Sequence, residues 1–431
     1  MIKSIGLNNF KCFEETHLDF RLVNVFIGPN GSGKSSIAQA LMILKQSVGK
    51  KYLNLEEPIN LGKFEDILYF MADSPEITIK LSGIISHKYQ WPESIEWLKF
   101  FVHFSYVIAL DKENLKQQQI SFQSHQSQGS DIELRNFQKL RKIEAKCSPT
   151  EEIISPEEIR FENFDSINLR CGKVVGQPIE IAGSTGDVQI YRDILTEIFD
   201  SVKNIIQKIF YVPGLRGINT PTSKIYDEQV AEFTQNKAIS ADAEKLVTAL
   251  GEYPDIAKKT SRILESVINT NIQYKIAPGR KQTIDVLRHD WKTSIVNEGL
   301  GLNQMLFPLF QVLIAPEDSF IIIEEPELHL HPRAQAKFVN ELVKIAKEEK
   351  KQLLLITHSE HILFRLLTLI AKKELPSGEL NIYSFSLNST GARAKKLEVT
   401  EDGRLKGALP GFFEHEIEEL GEFLKAASES Q

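Results

Sequence analysis

The chain has 431 residues, 42% of them hydrophobic and 25% charged, with a formal net charge of -7. That composition is ordinary for a globular protein, and its negative balance excludes general electrostatic adhesion to DNA or to an anionic membrane, although 51 Lys and Arg leave room for a local basic groove. The three cysteines, Cys12, Cys147 and Cys171, form no metal-spaced pair and read as free thiols of a reducing compartment.

Residues 1–7 lack the basic, then apolar, then small-residue order of a signal peptide, and no apolar run approaches bilayer length. A cytoplasmic protein without a membrane partner is expected. Residues 2–8 and 17–20 predict a small antiparallel strand system with Asn9-Phe10-Lys11 near its first turn. The apolar run Leu22-Val23-Asn24-Val25-Phe26-Ile27 predicts a strand. It leads into Gly28-Pro29-Asn30-Gly31-Ser32-Gly33-Lys34-Ser35, and residues 36–44 then read as a helix. Residues 60–67 hold Gly62 in a polar stretch and predict a turn, and residues 76–82 alternate as a strand.

The pattern changes between residues 84 and 205, which read as an inserted α+β region. Residues 101–108, 179–181 and 188–190 predict strands, and a helix is expected over 194–209. The Gln- and Ser-rich stretch 117–130 reads as a long hairpin tip or loop. No heptad pattern is sustained, so a long coiled-coil arm is not expected. Residues 210–216 predict a strand ending in a turn, and 226–270 are helical in pattern. Residues 271–276 and 282–287 predict a hairpin around Pro278-Gly279. The expected division is a head segment 1–83, the insertion 84–205, a helical and hairpin subdomain 206–290, and a final segment 291–431. The last contains a helix over 332–350, a hairpin formed by 380–387 and 396–399, and an acidic helix over 416–428.

Four stretches carry chemistry. The first is G-x-x-x-x-G-K-S at residues 28–35, a phosphate-binding loop pattern in its strand, loop, helix context. Glycines let the backbone turn its N–H groups inward as an anion nest, and the helix start faces the same phosphates. Gly28, Asn30, Gly31, Ser32, Gly33, Lys34, Ser35 and Ser36 are therefore nucleotide-binding candidates. Lys34 is expected at the β- and γ-phosphates and the Ser35 hydroxyl at Mg²⁺. Lys11 stands open between approaching the nucleotide and being a solvated hairpin lysine.

The second is Ser319-Phe320-Ile321-Ile322-Ile323-Glu324-Glu325-Pro326-Glu327, a buried strand with carboxylates at its C-terminal end, where open α/β sheets bind ligands. Adjacent strand residues face opposite ways, so Glu324 is expected to support Mg²⁺ and Glu325 to polarise the attacking water. The third is Leu353-Leu354-Leu355-Ile356-Thr357-His358-Ser359, another apolar strand, whose His358 can bond a γ-phosphate or the water. His329 and His331 sit in no metal-ligand cluster. The fourth runs from Val296 through Asn297, Glu298, Gly299 and Gly301 into an apolar helix. It is open between a second anion nest and a helix-capping loop.

Together these stretches resemble the ATP-binding-cassette class of ATPase heads, in the branch of SMC, RecF and OLD-type proteins. They are most similar to stand-alone bacterial OLD-like AAA-type ATPases, several of which belong to anti-phage defence systems. The resemblance covers about residues 1–82 and 205–420. It implies a P-loop fold of the ABC/RecF type: a mainly parallel α/β sheet flanked by helices, with an antiparallel N-terminal strand system. It also implies ATP and Mg²⁺ as ligands and ATP hydrolysis as the reaction. Asn297, Glu298, Gly299 and Gly301 would form a degenerate signature loop that completes the ATP site of an opposite protomer. Residues 328–331 would face that protomer. Residues 60–66 occupy the glutamine-loop position without a glutamine. Glu324 replaces a commoner Asp.

The segment after His358 is short for the nuclease domain of OLD nucleases and has no D-x-D strand end, so an ATPase without its own nuclease is expected. The implied function is a switch. ATP closes a homodimer or higher oligomer, hydrolysis opens it, and a protein effector such as a nuclease or toxin responds. DNA stays open as a partner, and a RecF-like repair or replication accessory is the alternative. A non-enzymatic ATP scaffold and a transport motor are weaker fits.

Overall fold

A computed structural model describes residues 1–48, 54–56, 58–90, 97–111, 114–128, 142–147, 167–171, 197, 200–218, 223–224, 237–277, 281–288 and 291–406. In chain order, β1 (Ile2–Phe10) and β2 (Phe13–Asp19) form a hairpin, and β3 (Val23–Ile27) leads to helix α1 (Lys34–Ser47). The single turn α2 (Phe64–Ile67) precedes five strands: β4 (Glu76–Gln90), β5 (Trp97–Asp111), β6 (Asn114–Gln128), β7 (Lys142–Cys147) and β8 (Ile167–Cys171). Residues 200–207 are helical, within the expected 194–209. Then come β9 (Ile209–Val212), β10 (Ser223–Lys224), α3 (Ala243–Glu252) and α4 (Pro254–Ile268). A meander of β11 (Asn271–Ala277), β12 (Lys281–Arg288) and β13 (Trp291–Ser294) leads to α5 (Leu300–Ile314) and β14 (Phe320–Glu324). The final elements are α6 (Pro332–Glu348), β15 (Gln352–Ile356), α7 (Glu360–Ala371), β16 (Leu380–Asn388), β17 (Gly391–Val399) and β18 (Leu405–Lys406). The expected helix over 416–428 lies outside the described residues, as do the strands expected at 179–181 and 188–190 and the Pro278-Gly279 turn.

The chain divides into two compact units. One comprises Met1–Phe20, Ser36–Ile209 and Leu387–Arg393; the other comprises Arg21–Ser35, Phe210–Ser386 and Ala394–Gln431. In the first, a seven-stranded sheet runs in the order β2-β1-β4-β5-β6-β7-β8, antiparallel except for the β7–β8 pair. Its alternating strands bury Ile5, Leu7, Ile77, Ile79, Leu81 and Ile108. Strand β4 continues through the boundary expected at residues 83 and 84, so the N-terminal hairpin and β5–β8 share one sheet.

The polar stretch 117–130 was expected as a hairpin tip or loop, and the structure corrects this through residue 128. Residues 114–128 form β6, paired on one side with β5 and on the other with β7. Those pairings use main-chain groups, which every non-proline residue supplies whatever its side chain.

In the second unit the sheet order is β18-β17-β16-β3-β15-β14-β9. Strands β16, β3, β15 and β14 are mutually parallel along this path. The sequences of β3, β14 and β15 are nearly continuous apolar runs, as burial on both faces requires, and β3 and β15 are buried throughout, whereas β16 carries polar residues and is exposed from Ser386 to Asn388. Helix α6 is amphipathic and buries Phe338, Val339, Leu342, Ile345 and Ala346. Helix α5 is buried from Leu302 to its end.

The polar member of β3, Asn24, is fully buried. Its Oδ1 accepts from the Arg21 N–H at 2.8 Å, and its Nδ2 donates to the carbonyls of Arg21 and Leu353, each at 3.0 Å. Asn24→Ala strips partners from three main-chain groups. The expected loss is about 1–3 kcal/mol in unfolding free energy, read from urea denaturation.

Candidate functional site

The site is built from loops leaving the C-terminal ends of β3, β14 and β15, all within the second unit. The first loop, residues 28–35, starts at Gly28 with φ +142°, where an added Cβ would run into the Phe385 carbonyl. Only glycine fits so close a main-chain approach. Lys34 opens α1 and is 5% exposed. Its Nζ donates to the carbonyls of Gly28 at 2.8 Å and Pro29 at 2.7 Å, so the lysine lies under its own loop. Burial lowers its pKa, while the charges of Glu325, Glu324 and Glu327 act in the opposite direction. The buried Ser32 hydroxyl has no hydrogen-bond partner.

Strand β14 delivers the carboxylates. Glu324, its last residue, has Oε2 bonded by the Tyr211 hydroxyl of β9 at 2.9 Å, and its buried Oε1 has no partner. The Tyr211 phenol is pushed up by burial and by that carboxylate. Glu325 was expected as the next strand residue, facing the opposite way from Glu324. The structure corrects this: β14 stops at Glu324, and Glu325 takes a left-handed conformation with φ +46°. Its N–H still donates to the Ile356 carbonyl of β15 at 2.8 Å, so the chain turns while held to the sheet. Its side-chain direction therefore follows from the turn rather than from strand alternation.

Glu327, two residues on, is largely buried. Its Oε1 accepts from the His358 N–H at 2.7 Å, while Oε2 has no partner. Burial raises its pKa above the ordinary carboxylate value. His358 is the second residue past β15 and stays accessible. Partial burial of its ring, then the nearby Lys34 charge, lower its pKa against the pull of Glu325, so the imidazole is neutral near pH 7. Lys34, Glu324, Glu325, Glu327 and His358 thus form one electrostatic cluster.

Ser36 is the third residue of α1, directly after Ser35. Lys11 has φ +53°, donates its N–H to the Ile67 carbonyl at 2.8 Å, and has a pKa lowered by burial. The Ser36 hydroxyl lies 3.6 Å from the Cys12 thiol. Asn297 ends a short 3-10 turn, and the Glu298 carboxylate, 3% exposed, pairs with Arg288 at 2.7 Å. Gly299 caps α5 with open space where a side chain would stand. Gly301 is packed so that a Cβ would lie 2.8 Å from the His329 carbonyl. His331 caps α6, its Nδ1 accepting from the Arg333 N–H at 3.3 Å. Among the described residues, no cluster of three or more His, Cys, Asp or Glu is arranged to hold a metal.

Sequence reasoning did not single out Tyr211, Arg216 or a role for Glu327. The only signal was a charged residue following the apolar strand and Pro-Gly turn at 210–216.

A family profile described as the AAA ATPase domain matches residues 1–363. The chain belongs to this AAA ATPase domain family. Curated relatives named DNA replication and repair protein RecF, from Francisella tularensis strains SCHU S4 and novicida U112, are each 37% identical over 83 residues, 19% of this chain. The match spans about a quarter (24%) of their length. Among solved structures, an Smc head domain with an extended coiled coil bound to the C-terminal domain of ScpA, derived from Pyrococcus furiosus, aligns with TM-score 0.45 and 12% identity, covering 92% of this chain and 96% of that one. The SMC head domain from Thermotoga maritima aligns with TM-score 0.39 and 12% identity, covering 92% and 99%. Among the described residues no helix is long and apolar enough to cross a membrane.

In this AAA ATPase domain, Glu327 ties the β14 loop to the β15 loop. Glu327→Gln keeps an acceptor for the His358 N–H and removes a buried charge, so its unfolding free energy should stay close to that of the parent. Glu327→Ala removes the acceptor and should cost about 1–3 kcal/mol. Paired urea denaturation curves read both.

Proposed function

We propose that the chain is an ATP-hydrolysing head, and that ATP binding closes two copies into a dimer that switches a partner protein. The observation that carries this reading is that the charges of Glu324, Glu325 and Glu327 bear on Lys34, and those of Lys34 and Glu325 on His358, at the C-terminal ends of parallel strands. The residues present fit ATP with Mg²⁺. Lys34 holds only carbonyls of its own loop, which a phosphate oxygen can replace, and the buried Ser32 hydroxyl and Glu324 Oε1 have unused hydrogen-bonding or coordinating capacity. Ser35 and Glu324 are the hard oxygen donors that would hold Mg²⁺, which when bound spreads the charge of the β- and γ-phosphates.

In this mechanism the main-chain N–H groups of residues 28–35 bind the phosphates and Lys34 neutralises them. The water oxygen attacks the γ-phosphorus, the bond to the β–γ bridging oxygen breaks, and ADP and phosphate leave. The Glu325 carboxylate orients the water and accepts its proton. Neutral His358 donates a hydrogen bond to the γ-phosphate. The loop with Asn297, Glu298, Gly299 and Gly301 serves the nucleotide of a second copy, a role supported by the resemblance to cassette ATPase heads and by the bare position at Gly299. The similarity to stand-alone OLD-like ATPases further supports an effector such as a nuclease or toxin in anti-phage defence, and a cytoplasmic setting.

A second reading, a RecF-like accessory on DNA, is favoured by the match to RecF relatives. It predicts ATP-dependent DNA binding by Glu325→Gln protein that weakens steeply with salt.

The test is nucleotide binding and hydrolysis by the parent, Lys34→Ala and Glu325→Gln. Lys34→Ala should lose ATP affinity. Glu325→Gln should keep it, lose hydrolysis by about 100-fold or more, and elute as a dimer with ATP. Equal hydrolysis by all three proteins would sink the site assignment.

A further inference from the structure

Among the described residues, the only arginine classed as buried is Arg216, and it bonds no carboxylate. Its Nε donates to the Gln304 carbonyl at 2.9 Å, Nη1 to Pro213 at 2.6 Å and Glu324 at 2.8 Å, and Nη2 to Glu325 at 3.1 Å. The acceptors are all main-chain carbonyls. Burial pushes the guanidinium pKa down to about 10, with the charges of Glu327, Glu325 and Glu324 opposing the shift. A buried cation is costly, and a tie between loops does not need one.

Two features separate this arrangement from a generic tie. The two Nη groups grip the successive carbonyls of Glu324 and Glu325, where the chain leaves β14 and enters its left-handed turn. That turn sets the direction of the Glu325 side chain, and an uncommon φ persists only when its surroundings hold it. The segment carrying Arg216 also bonds one carboxylate and passes beside the other. Tyr211 bonds Glu324, and a Cβ added at Gly214 would lie 3.4 Å from the Glu325 Cδ. The segment reaches helix α5 as well: the Gln304 amide returns a bond to the Arg216 carbonyl at 2.7 Å. Gln304 lies about one turn after Gly299 and Gly301, so one reciprocal residue pair links the start of α5 to the main chain of Glu325.

We infer that Arg216 is a positioning residue for hydrolysis, holding the turn that aims Glu325 and coupling that turn, through Gln304, to the start of helix α5. The inference rests on the hydrolytic reading above and deepens it by naming what regulates the water-orienting carboxylate. Lysine can bond two successive carbonyls from its one nitrogen, as Lys34 does, but it has no planar fork to hold those of Gln304, Pro213, Glu324 and Glu325 together.

The experiment measures kcat, ATP affinity and thermal midpoint for the parent, Glu325→Gln, Arg216→Lys, Arg216→Ala and Gln304→Met. Arg216→Lys should lower kcat by about tenfold or more while ATP affinity stays within about twofold. Millimolar guanidinium chloride should restore part of the activity of Arg216→Ala without raising that of the parent. Gln304→Met, which keeps the side-chain volume, should lower kcat with unchanged affinity, and its effect should be non-additive with Arg216→Lys. If Arg216→Ala does not fold, the other two variants decide the matter. Full kcat in Arg216→Lys, or a loss that only tracks the fraction of unfolded protein, overturns the positioning role and leaves the hydrolytic reading intact. A parent without Glu325-dependent hydrolysis overturns both.

Discussion

Three parallel strands in register hold the candidate site together. Pairing aligns Glu324 of β14 with Ile356 of β15, and Ile356 with Phe26 of β3. Strands locked this way end in one row, so the chains leaving them emerge side by side. The loop of residues 28–35, the turn at Glu325 and the Thr357-His358 step share one edge for that reason. Two main-chain bonds extend the registration past the strands: Glu325 N–H to the Ile356 carbonyl at 2.8 Å, and Thr357 N–H to the Phe26 carbonyl at 3.0 Å. A one-residue slip in either pairing would turn the flanking side chains to the other face and disperse the cluster.

That edge concentrates groups which are costly to bury. Lys34, Arg216 and Glu327 lose most of their water, and Lys34 and Arg216 are satisfied by neutral carbonyls rather than by ion pairs. Mutual neutralisation would be cheaper, but it would commit the charges to one another. Carbonyl partners leave the lysine exchangeable and the carboxylate oxygens of Glu324 and Glu327 partly unused. The same economy appears at His358, whose main chain is anchored by Glu327 while its ring stays accessible. Preorganised groups with spare capacity are what a polyanionic ligand requires.

How much was legible in the sequence follows from what each feature depends on. Strands β3, β14 and β15 were readable because burial on both faces demands apolar runs, and the loop after β3 because its glycines and lysine have fixed spacing. Strand β6 was not, since its pairing with β5 and β7 runs through main-chain groups that polarity does not report. Glu324, Glu325 and His358 were readable as strand-end positions, but not the left-handed turn at Glu325, which a bond donated to β15 and one accepted from Arg216 accompany. Tyr211 and Arg216 lie more than a hundred residues from the glutamates they bond, and no local pattern marks such partners.

The loop before α5 shows how two glycines in one motif can have different causes. Gly301 is needed locally, because any side chain there meets the His329 carbonyl, so its presence says nothing about an anion. Gly299 has φ -59° and ψ 150°, a conformation open to other residues, with empty space at its Cβ position. Its bareness has no internal packing reason. Glu298 is already committed to Arg288, which also bonds the Thr270 hydroxyl at 3.0 Å. What this loop can offer an incoming phosphate is therefore main-chain N–H at the start of a 15-residue helix that no side chain caps, beside a position without a side chain. The acidic side chain that makes the loop depart from the usual pattern is turned into an ion pair with Arg288, so it leaves no free carboxylate at the helix start.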